Sequence, residues 1–221
     1  PVRMAVCLDY MFDPENLTPE QRNDPYRAAR MGSFKSFSDG SLGSRSAKLY
    51  TDYADDPGNT GILVISPEDL AKRMYKAYRH GLQPATHCIG DKALEVTLDA
   101  VEYCLEQGLK DGMTPEEQAK RLPFRIIHAQ MATPELIERM KKLPIVLDIQ
   151  PTFLMTDLHW IEERVGKERA VLSYPWKTYL DAGLIMAGGS DAPVESFNPW
   201  IGIYATVTRQ DMDGYLANRL L

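Results

Sequence analysis

Short apolar segments alternate along this chain with stretches of helical periodicity, and this alternation limits the possible folds more than any other feature. The segments predicted as strands are VRMAVCL (2–8), SFKSF (33–37), LQPATH (82–87), PFRIIHA (123–129), PIVLDIQ (144–150) and LIMAGGS (184–190). The helices predicted between them span 67–80 and 91–107, with a third opening at Thr133 and Pro134 and a fourth running from Ser173 to near Gly183. Strand, helix, strand order with strands apolar on both faces predicts an α/β domain with a parallel sheet covered by helices.

Two architectures satisfy this pattern, an open doubly wound sheet and a (β/α)8 barrel. The dinucleotide motif G-x-G-x-x-G and the phosphate-loop motif are both absent, which weakens the first. A barrel takes about 250 residues and eight strands. With six predicted strands in 221 residues, a barrel here would be incomplete, and the doubly wound sheet stays open at this point. Residues 39–61 form a long irregular segment typical of a binding loop, and residues 11–30 form a polar connection with a short helix at most.

Charge and cysteine content argue against several functional classes. The net charge of −6 argues against a nucleic-acid partner, and no apolar run approaches the roughly 18 residues of a membrane span. The three cysteines include no Cys-x-x-Cys pair, which indicates neither a disulfide framework nor a structural zinc cage. We therefore expect a cytoplasmic protein that acts on a small molecule.

Residues with metal-binding chemistry stand at the ends of several predicted strands. Lys35 lies in the second strand, His87 and His128 end the third and fourth, and Asp191 follows the last. In a parallel barrel these ends share one face, where imidazole and carboxylate groups bind divalent metals. Each residue also has a plain structural reading: a hydrogen-bonded histidine, a turn-capping aspartate or a solvated lysine. Together, four such residues in register favour a metal site.

The two remaining histidines have weaker functional signals. His80 falls in the last turn of a predicted helix, where a cation suits the helix dipole. His159, in the sequence DLHW, either lines a substrate pocket beside Trp160 or serves the fold alone.

Five motifs together carry a family resemblance. In chain order they are FKSFSDGSLGSRSA, THCIGDKA, RIIHAQ, DIQPTF and GSDAPVESFNPWIGIYATVTR. The chain resembles the amidohydrolase superfamily, and within it the YtcJ-like branch of metal-dependent hydrolases (amidohydrolase family 3), from about residue 30 to 210. The phrases DGSLGSR and GSDAPVE are specific to that branch.

The resemblance implies a (β/α)8 TIM barrel with metal ligands on its first, fourth, fifth, sixth and eighth strands. By this match Lys35 lies on the fourth strand, His87 on the fifth, His128 on the sixth and Asp191 on the eighth. The implied cofactor is a divalent metal, with zinc expected, and Lys35 is a candidate for N-carboxylation to an anionic metal bridge. The implied reaction is hydrolysis of a C–N bond in an amide, formamide or cyclic amide, with Asp191 as acid/base and His128 or the metal polarising the carbonyl.

One departure from the family pattern predicts that the chain is a fragment. The family's first strand ends in His-x-His, and this sequence contains no His-x-His. We expect residues 1–221 to be a partial catalytic domain covering barrel strands 3–8, without the first two strands and the β-sandwich domain. Such a piece should bind metal weakly, show little activity alone and pair through its open edges, which makes a homo-oligomer possible.

The resemblance also supplies hypotheses for the loop after the second strand. The DGSLGSR loop is expected to close over substrate, with Arg45 either anchoring a substrate carboxylate or pointing to water. Asp39 and Ser41 are expected to hydrogen-bond around Lys35, and Asp39 is also a candidate to contact substrate. Two rival functions stay open: a lyase that uses Lys35 as a Schiff-base nucleophile, and a binding protein that has kept the barrel without catalysis.

Overall fold

A computed structural model describes residues 4–8 and 29–215, and its centre is a six-stranded parallel sheet. The strands are β1 (Met4–Leu8), β2 (Ala29–Phe37), β3 (Gln83–Cys88), β4 (Phe124–His128), β5 (Ile145–Ile149) and β6 (Met186–Gly188). Every strand pairs with the next along the chain. A doubly wound sheet reverses its strand order, whereas a barrel wall runs in sequence order, so the predicted incomplete barrel is confirmed.

Helices follow most of the strands. They are α1 (Pro67–Arg79), α2 (Asp91–Lys110), α3 (Pro115–Ala119), α4 (Pro134–Met140), α5 (Pro151–Asp157), α6 (Ile161–Val165), α7 (Lys167–Ala170), α8 (Trp176–Asp181) and α9 (Pro199–Thr208). Proline opens many of them because its fixed φ suits the first helical turn, where its missing N–H costs no bond. None of the helices within the described ranges is long and apolar enough to cross a membrane.

The predicted helices are found where expected, with one shift. The helix predicted from Ser173 begins only at Trp176, since Tyr174 has a φ of 52°, which a helix cannot accommodate. Most of the predicted 11–30 connection lies outside the described residues.

The two faces of the sheet differ in chemistry. Outward-facing residues such as Ile126 and Leu147 are 0% exposed and belong to the core packed against the helices. The opposite face carries polar groups, among them Arg125, whose Nε donates to Asp148 Oδ2 at 2.7 Å. The strand period of two separates these sets and directs the polar set into the barrel interior.

The 39–61 segment is a packed part of the domain, not a loop that waits to close. Its Leu42, Ala47, Leu49 and Tyr53 side chains are at most 1% exposed. Two arginines outside the segment hold it in place, because Arg164 pairs with Asp55 and Arg169 donates to Thr51 Oγ1 at 2.6 Å. The expected closing motion of the DGSLGSR loop therefore receives no support from this packing.

An apolar surface lies beside β5 and β6. A groove of about 700 Å³ runs there, lined in part by Ile149, Met186 and Ile203. Nearby, Phe197 is 86% exposed and Trp200 74%. Exposed apolar surfaces of this kind are typical of interaction or ligand-binding sites.

A buried polar network connects the turn after β4 with α5. Gln130 Nε2 donates to Asp157 Oδ2 at 2.7 Å and to Tyr174 Oη at 2.6 Å, and the Tyr174 hydroxyl donates to the same Asp157 oxygen. Burial raises the pKa of Asp157 to about 6, against the lowering effect of these two donors. The network therefore makes stability depend on pH.

We expect Asp157→Asn to flatten the pH dependence of stability between about pH 4 and pH 6. The raised pKa means that the folded protein binds a proton there which the unfolded chain has released, so the wild-type protein loses stability as pH rises. Asparagine keeps a carbonyl oxygen for both donors and has no proton to lose. We would measure the free energy of unfolding of both proteins in urea. The difference between the two values should change by up to about 3 kcal/mol across this pH range.

Asp55→Asn is the matched control. Its two arginine partners lower the pKa of Asp55, so the Asp55 carboxylate adds stability as pH rises, whereas Asp157 loses it. If the free energy of unfolding of wild type and of Asp157→Asn varied in parallel with pH, Asp157 would not be the source of the pH dependence.

Candidate functional site

Two histidines meet at the carboxyl ends of adjacent strands. Cys88 on β3 pairs with His128 on β4, so His87 stands one residue away from His128 along the ladder. The two imidazole rings lie edge to face, with centroids 4.5 Å apart. Side-chain exposure is 12% for His87, and His128 as a whole is 5% exposed. The structure thus brings together two of the predicted metal ligands in a water-poor site.

Both imidazoles are held in the neutral form. Burial lowers the pKa of His87, and burial together with the neighbouring His87 lowers the pKa of His128 to about 3. The charge of Lys35 lowers the pKa of both rings further. Neutral imidazole is the form that offers a lone pair to a metal ion.

A backbone carbonyl fixes which nitrogen of His87 carries the proton. His87 Nε2 lies 2.9 Å from the carbonyl oxygen of Gly40. A carbonyl only accepts, so Nε2 is the protonated nitrogen and Nδ1 carries the lone pair. In the neutral ring, Nδ1 is therefore the nitrogen of His87 that has a lone pair to offer.

His128 is held by two residues that follow β5. Its Nδ1 lies 2.6 Å from Gln150 Oε1, and the ring of Phe153 stacks on it with centroids 5.6 Å apart. His128 also has a φ of 75°, an uncommon backbone geometry that concentrates at functional sites. The sequence pattern did not single out Gln150 or Phe153, although both lie in the DIQPTF motif, because β5 ends without a metal-ligand type.

Lys35 lies on β2, the strand next to the one that carries His87. Phe37, two residues further along β2, pairs with His87 in the ladder, and Lys35 Nζ stands 4.8 Å from the centre of the Phe37 ring. This cation–π contact accommodates the ammonium form. N-carboxylation of Lys35 stays a prediction.

Asp191 lies in the exposed turn after β6, with a φ of 54°. Its negative charge raises the pKa of His87, in opposition to burial. Within residues 4–8 and 29–215, however, no three His, Cys, Asp or Glu side chains form a cluster that could hold a metal ion. The two neutral imidazoles fit two positions around a divalent ion such as zinc, and the remaining positions need further donors.

Asp39 bonds to other groups than the predicted Lys35, and its contact with substrate stays a prediction. It is 2% exposed, and its Oδ2 accepts the backbone N–H groups of Lys48 at 2.9 Å and Gly90 at 2.8 Å. Its Oδ1 accepts the Ile89 N–H at 3.1 Å and lies 3.5 Å from His87 Nε2. Burial raises the pKa of Asp39 to about 7, against these bonds. Asp39 therefore joins the 39–61 segment to the turn that carries His87.

Ser41, the other group expected around Lys35, bonds within its own loop. Its hydroxyl is 2.8 Å from the Ser44 hydroxyl, and its N–H donates to Ser46 Oγ at 3.0 Å.

Arg45 and His159, both predicted to contact substrate, have partners inside the fold. Arg45 donates two bonds to Asp55, at 3.0 and 2.8 Å, which takes up the guanidinium fork that a substrate carboxylate would need. His159 Nε2 is 2.8 Å from Asp211 Oδ2, and its ring stacks on Tyr215. Both residues therefore have a structural role, and contact with substrate stays a prediction for each.

His80 lies at the C-cap of α1, as its sequence position predicted.

The sequence is similar to known proteins over most of its length. A model of the amidohydrolase family matches residues 1–221. YtcJ of Bacillus subtilis (strain 168), a putative amidohydrolase by name, is 40% identical over 192 residues, covering 86% of this chain and 34% of the relative. Protein LONG AFTER FAR-RED 3 of Arabidopsis thaliana is 39% identical over 181 residues, covering 81% and 29%. The chain thus spans about a third of the length of these curated relatives.

Solved structures agree with the fold. An uncharacterized metal-dependent hydrolase from Pyrococcus horikoshii OT3 superposes with a TM-score of 0.80 at 33% identity, covering 94% of this chain and 39% of that one. A second, from Pyrococcus furiosus, gives 0.77 at 32% identity, with coverage of 92% and 40%.

Proposed function

The chain belongs to the amidohydrolase family, and we propose that the longer protein containing it is a metal-dependent hydrolase of C–N bonds in amides, formamides or cyclic amides. The observation that carries this proposal is the His87–His128 pair: two buried, neutral imidazoles 4.5 Å apart at the carboxyl ends of parallel barrel strands. In this proposal residues 1–221 supply part of the catalytic barrel, and the rest of the longer protein supplies its other strands and the β-sandwich.

His87 and His128 would hold the metal, with zinc the proposed ion. Lys35 would join them as a ligand once N-carboxylated, and Asp191 would approach from the turn after β6. Bound there, the metal supplies a water of lowered pKa and polarises the scissile carbonyl.

His128 serves this site as a ligand and not as a proton donor. Because its Nδ1–H is engaged by Gln150, the neutral ring has no proton on Nε2 with which to polarise a carbonyl. For the acid/base role we propose Asp191, the carboxylate in the exposed turn after β6. Its carboxylate would take a proton from the attacking water and pass it to the leaving nitrogen.

Asp191→Asn in the full-length protein should lower kcat by roughly 10²–10⁴-fold, the usual contribution of a general acid/base. Its zinc content should stay largely unchanged, since the two imidazoles remain. Glu195→Gln is the matched control: it makes the same carboxylate-to-amide change in the same turn, where Glu195 instead accepts from Thr156 Oγ1 at 2.8 Å. Equal rates for Asp191→Asn and wild type would refute the role.

Turnover of an amide panel by the full-length protein tests the function. N-acyl amino acids, formamides and cyclic amides should be assayed with metal-stripped and zinc-reconstituted protein. We expect hydrolysis of at least one class, loss on stripping and recovery with zinc. Turnover that survives complete stripping, or a borohydride-trapped adduct on Lys35, would favour the Schiff-base lyase. Zinc-loaded protein that binds amides without turning them over would favour the binding protein.

The partners and location of the longer protein are also part of the proposal. We propose a small-molecule amide substrate, no nucleic-acid or membrane partner and a cytoplasmic location. The exposed apolar surface near Phe197 and Trp200 would contact the rest of the longer protein or a second copy in a homo-oligomer.

A further inference from the structure

Gln150 makes two hydrogen bonds that together define how its amide is oriented. Its Oε1 is 2.6 Å from His128 Nδ1, and its Nε2 donates to the backbone carbonyl of Asp148 at 3.0 Å. The Asp148 carbonyl only accepts, so the amide NH₂ must face Asp148. The amide oxygen must then face His128.

This orientation determines the tautomer of His128. An amide oxygen only accepts, so the nitrogen facing it, Nδ1, must carry the proton. In the neutral ring Nε2 is then the nitrogen with the lone pair. Free histidine prefers the opposite tautomer, with the proton on Nε2, so the protein must supply the bias.

We propose that Gln150 is a positioning residue that holds His128 in the Nδ1–H tautomer and so presents Nε2 as the metal-binding atom. The tautomer assignment stands on the two hydrogen bonds alone, whereas its use toward a metal rests on the proposed hydrolase function. Outer hydrogen-bond partners of this type orient ligating histidines and affect metal affinity.

The surroundings keep this arrangement rigid. Gln150 is 7% exposed, so water does not compete freely for either bond. Phe153, on the helix that Gln150 caps, stacks on the His128 ring at an interplanar angle of 19°. The ring is therefore held by a stack against its face and by a hydrogen bond at its edge, which leaves it little freedom to flip.

The tautomer can be read without any metal. We would record ¹⁵N chemical shifts of the imidazole nitrogens in the metal-free, full-length protein, at a pH where His128 is neutral. The expected result is a proton on Nδ1 of His128 in wild type and in Gln150→Glu, whose carboxylate still accepts. Gln150→Leu removes the acceptor, and His128 should then move toward the Nε2–H form.

Zinc affinity supplies the second readout. Gln150→Leu should weaken zinc binding by roughly 10–100-fold, and Gln150→Glu should restore most of the loss. Gln83→Leu is the control, because Gln83 also donates from a side-chain amide to a backbone carbonyl, that of Pro123, but at the opposite end of the sheet. Its effect on the His128 tautomer and on zinc affinity should be negligible.

The two readouts separate the possible failures. A wild-type His128 with its proton on Nε2 would overturn the inference directly, whether or not any variant folds. A Leu variant that keeps the Nδ1–H tautomer would also overturn it. A correct tautomer shift with unchanged zinc affinity would overturn the positioning role toward the metal, and amide turnover would still be judged by its own assay.

Discussion

Replacing His87 with asparagine in the full-length protein is expected to abolish zinc binding and, with it, amide turnover. His87 presents Nδ1 from a ring whose Nε2–H is bound to Gly40, so the substitution removes a preformed ligand. The expected loss of affinity exceeds the roughly 10–100-fold that follows removal of an outer partner. Zinc affinity by competition with a chromophoric chelator and kcat on the best amide would both report it.

His80→Asn is the matched control for this substitution. His80 follows α1, just before β3 begins, and so lies at the end of the sheet opposite His87. The control should retain zinc and turnover. Zinc affinity that is equal in His87→Asn and His80→Asn would show that His87 is not a ligand.

Gly90→Ala should destabilise the protein by about 3 kcal/mol or more, which is a severe effect for one methyl group. A Cβ at this position would lie 2.0 Å from the carbonyl oxygen of Lys48. Neither backbone can move away, because that carbonyl accepts from Ala93 N–H at 3.2 Å and Gly90 N–H donates to Asp39 at 2.8 Å. Chemical unfolding of the full-length protein would measure the loss.

Gly189→Ala gives the contrasting case, since a Cβ added at Gly189 would have no other atom within 4 Å. It should change the free energy of unfolding by less than about 0.5 kcal/mol. A Gly90→Ala protein as stable as Gly189→Ala would mean that the contact between the 39–61 segment and the start of α2 is looser than described.

The strands and the metal-ligand types at their ends could be predicted because both are local properties of the sequence. A run such as FRIIH alternates faces with a period of two and ends in His128 whatever surrounds it. The alternation with helices predicted a parallel sheet but left its strand order open, and the family resemblance favoured the barrel. The strand ends themselves predicted that His87 and His128 would share one end of the sheet.

Side-chain partners could not be predicted in the same way, because they depend on contacts between distant parts of the chain. Asp39 bonds to Gly90, 51 residues away, and Arg164 contacts Asp55, 109 residues away. The loop sequence DGSLGSR suggested roles for Asp39 near Lys35 and for Arg45 at a substrate or in water, and only the packed 39–61 segment shows that both have internal partners. Gln150 gave no signal because glutamine is not a metal-ligand type, so its role appears only with the orientation of its amide.

Anomalous X-ray scattering at the zinc edge, from crystals of the full-length protein grown with zinc, would locate the metal. We expect a zinc peak about 2.0–2.1 Å from both His87 Nδ1 and His128 Nε2. Zinc bound through other atoms, or a His87–His128 pair without metal at saturating zinc, would contradict the proposed site.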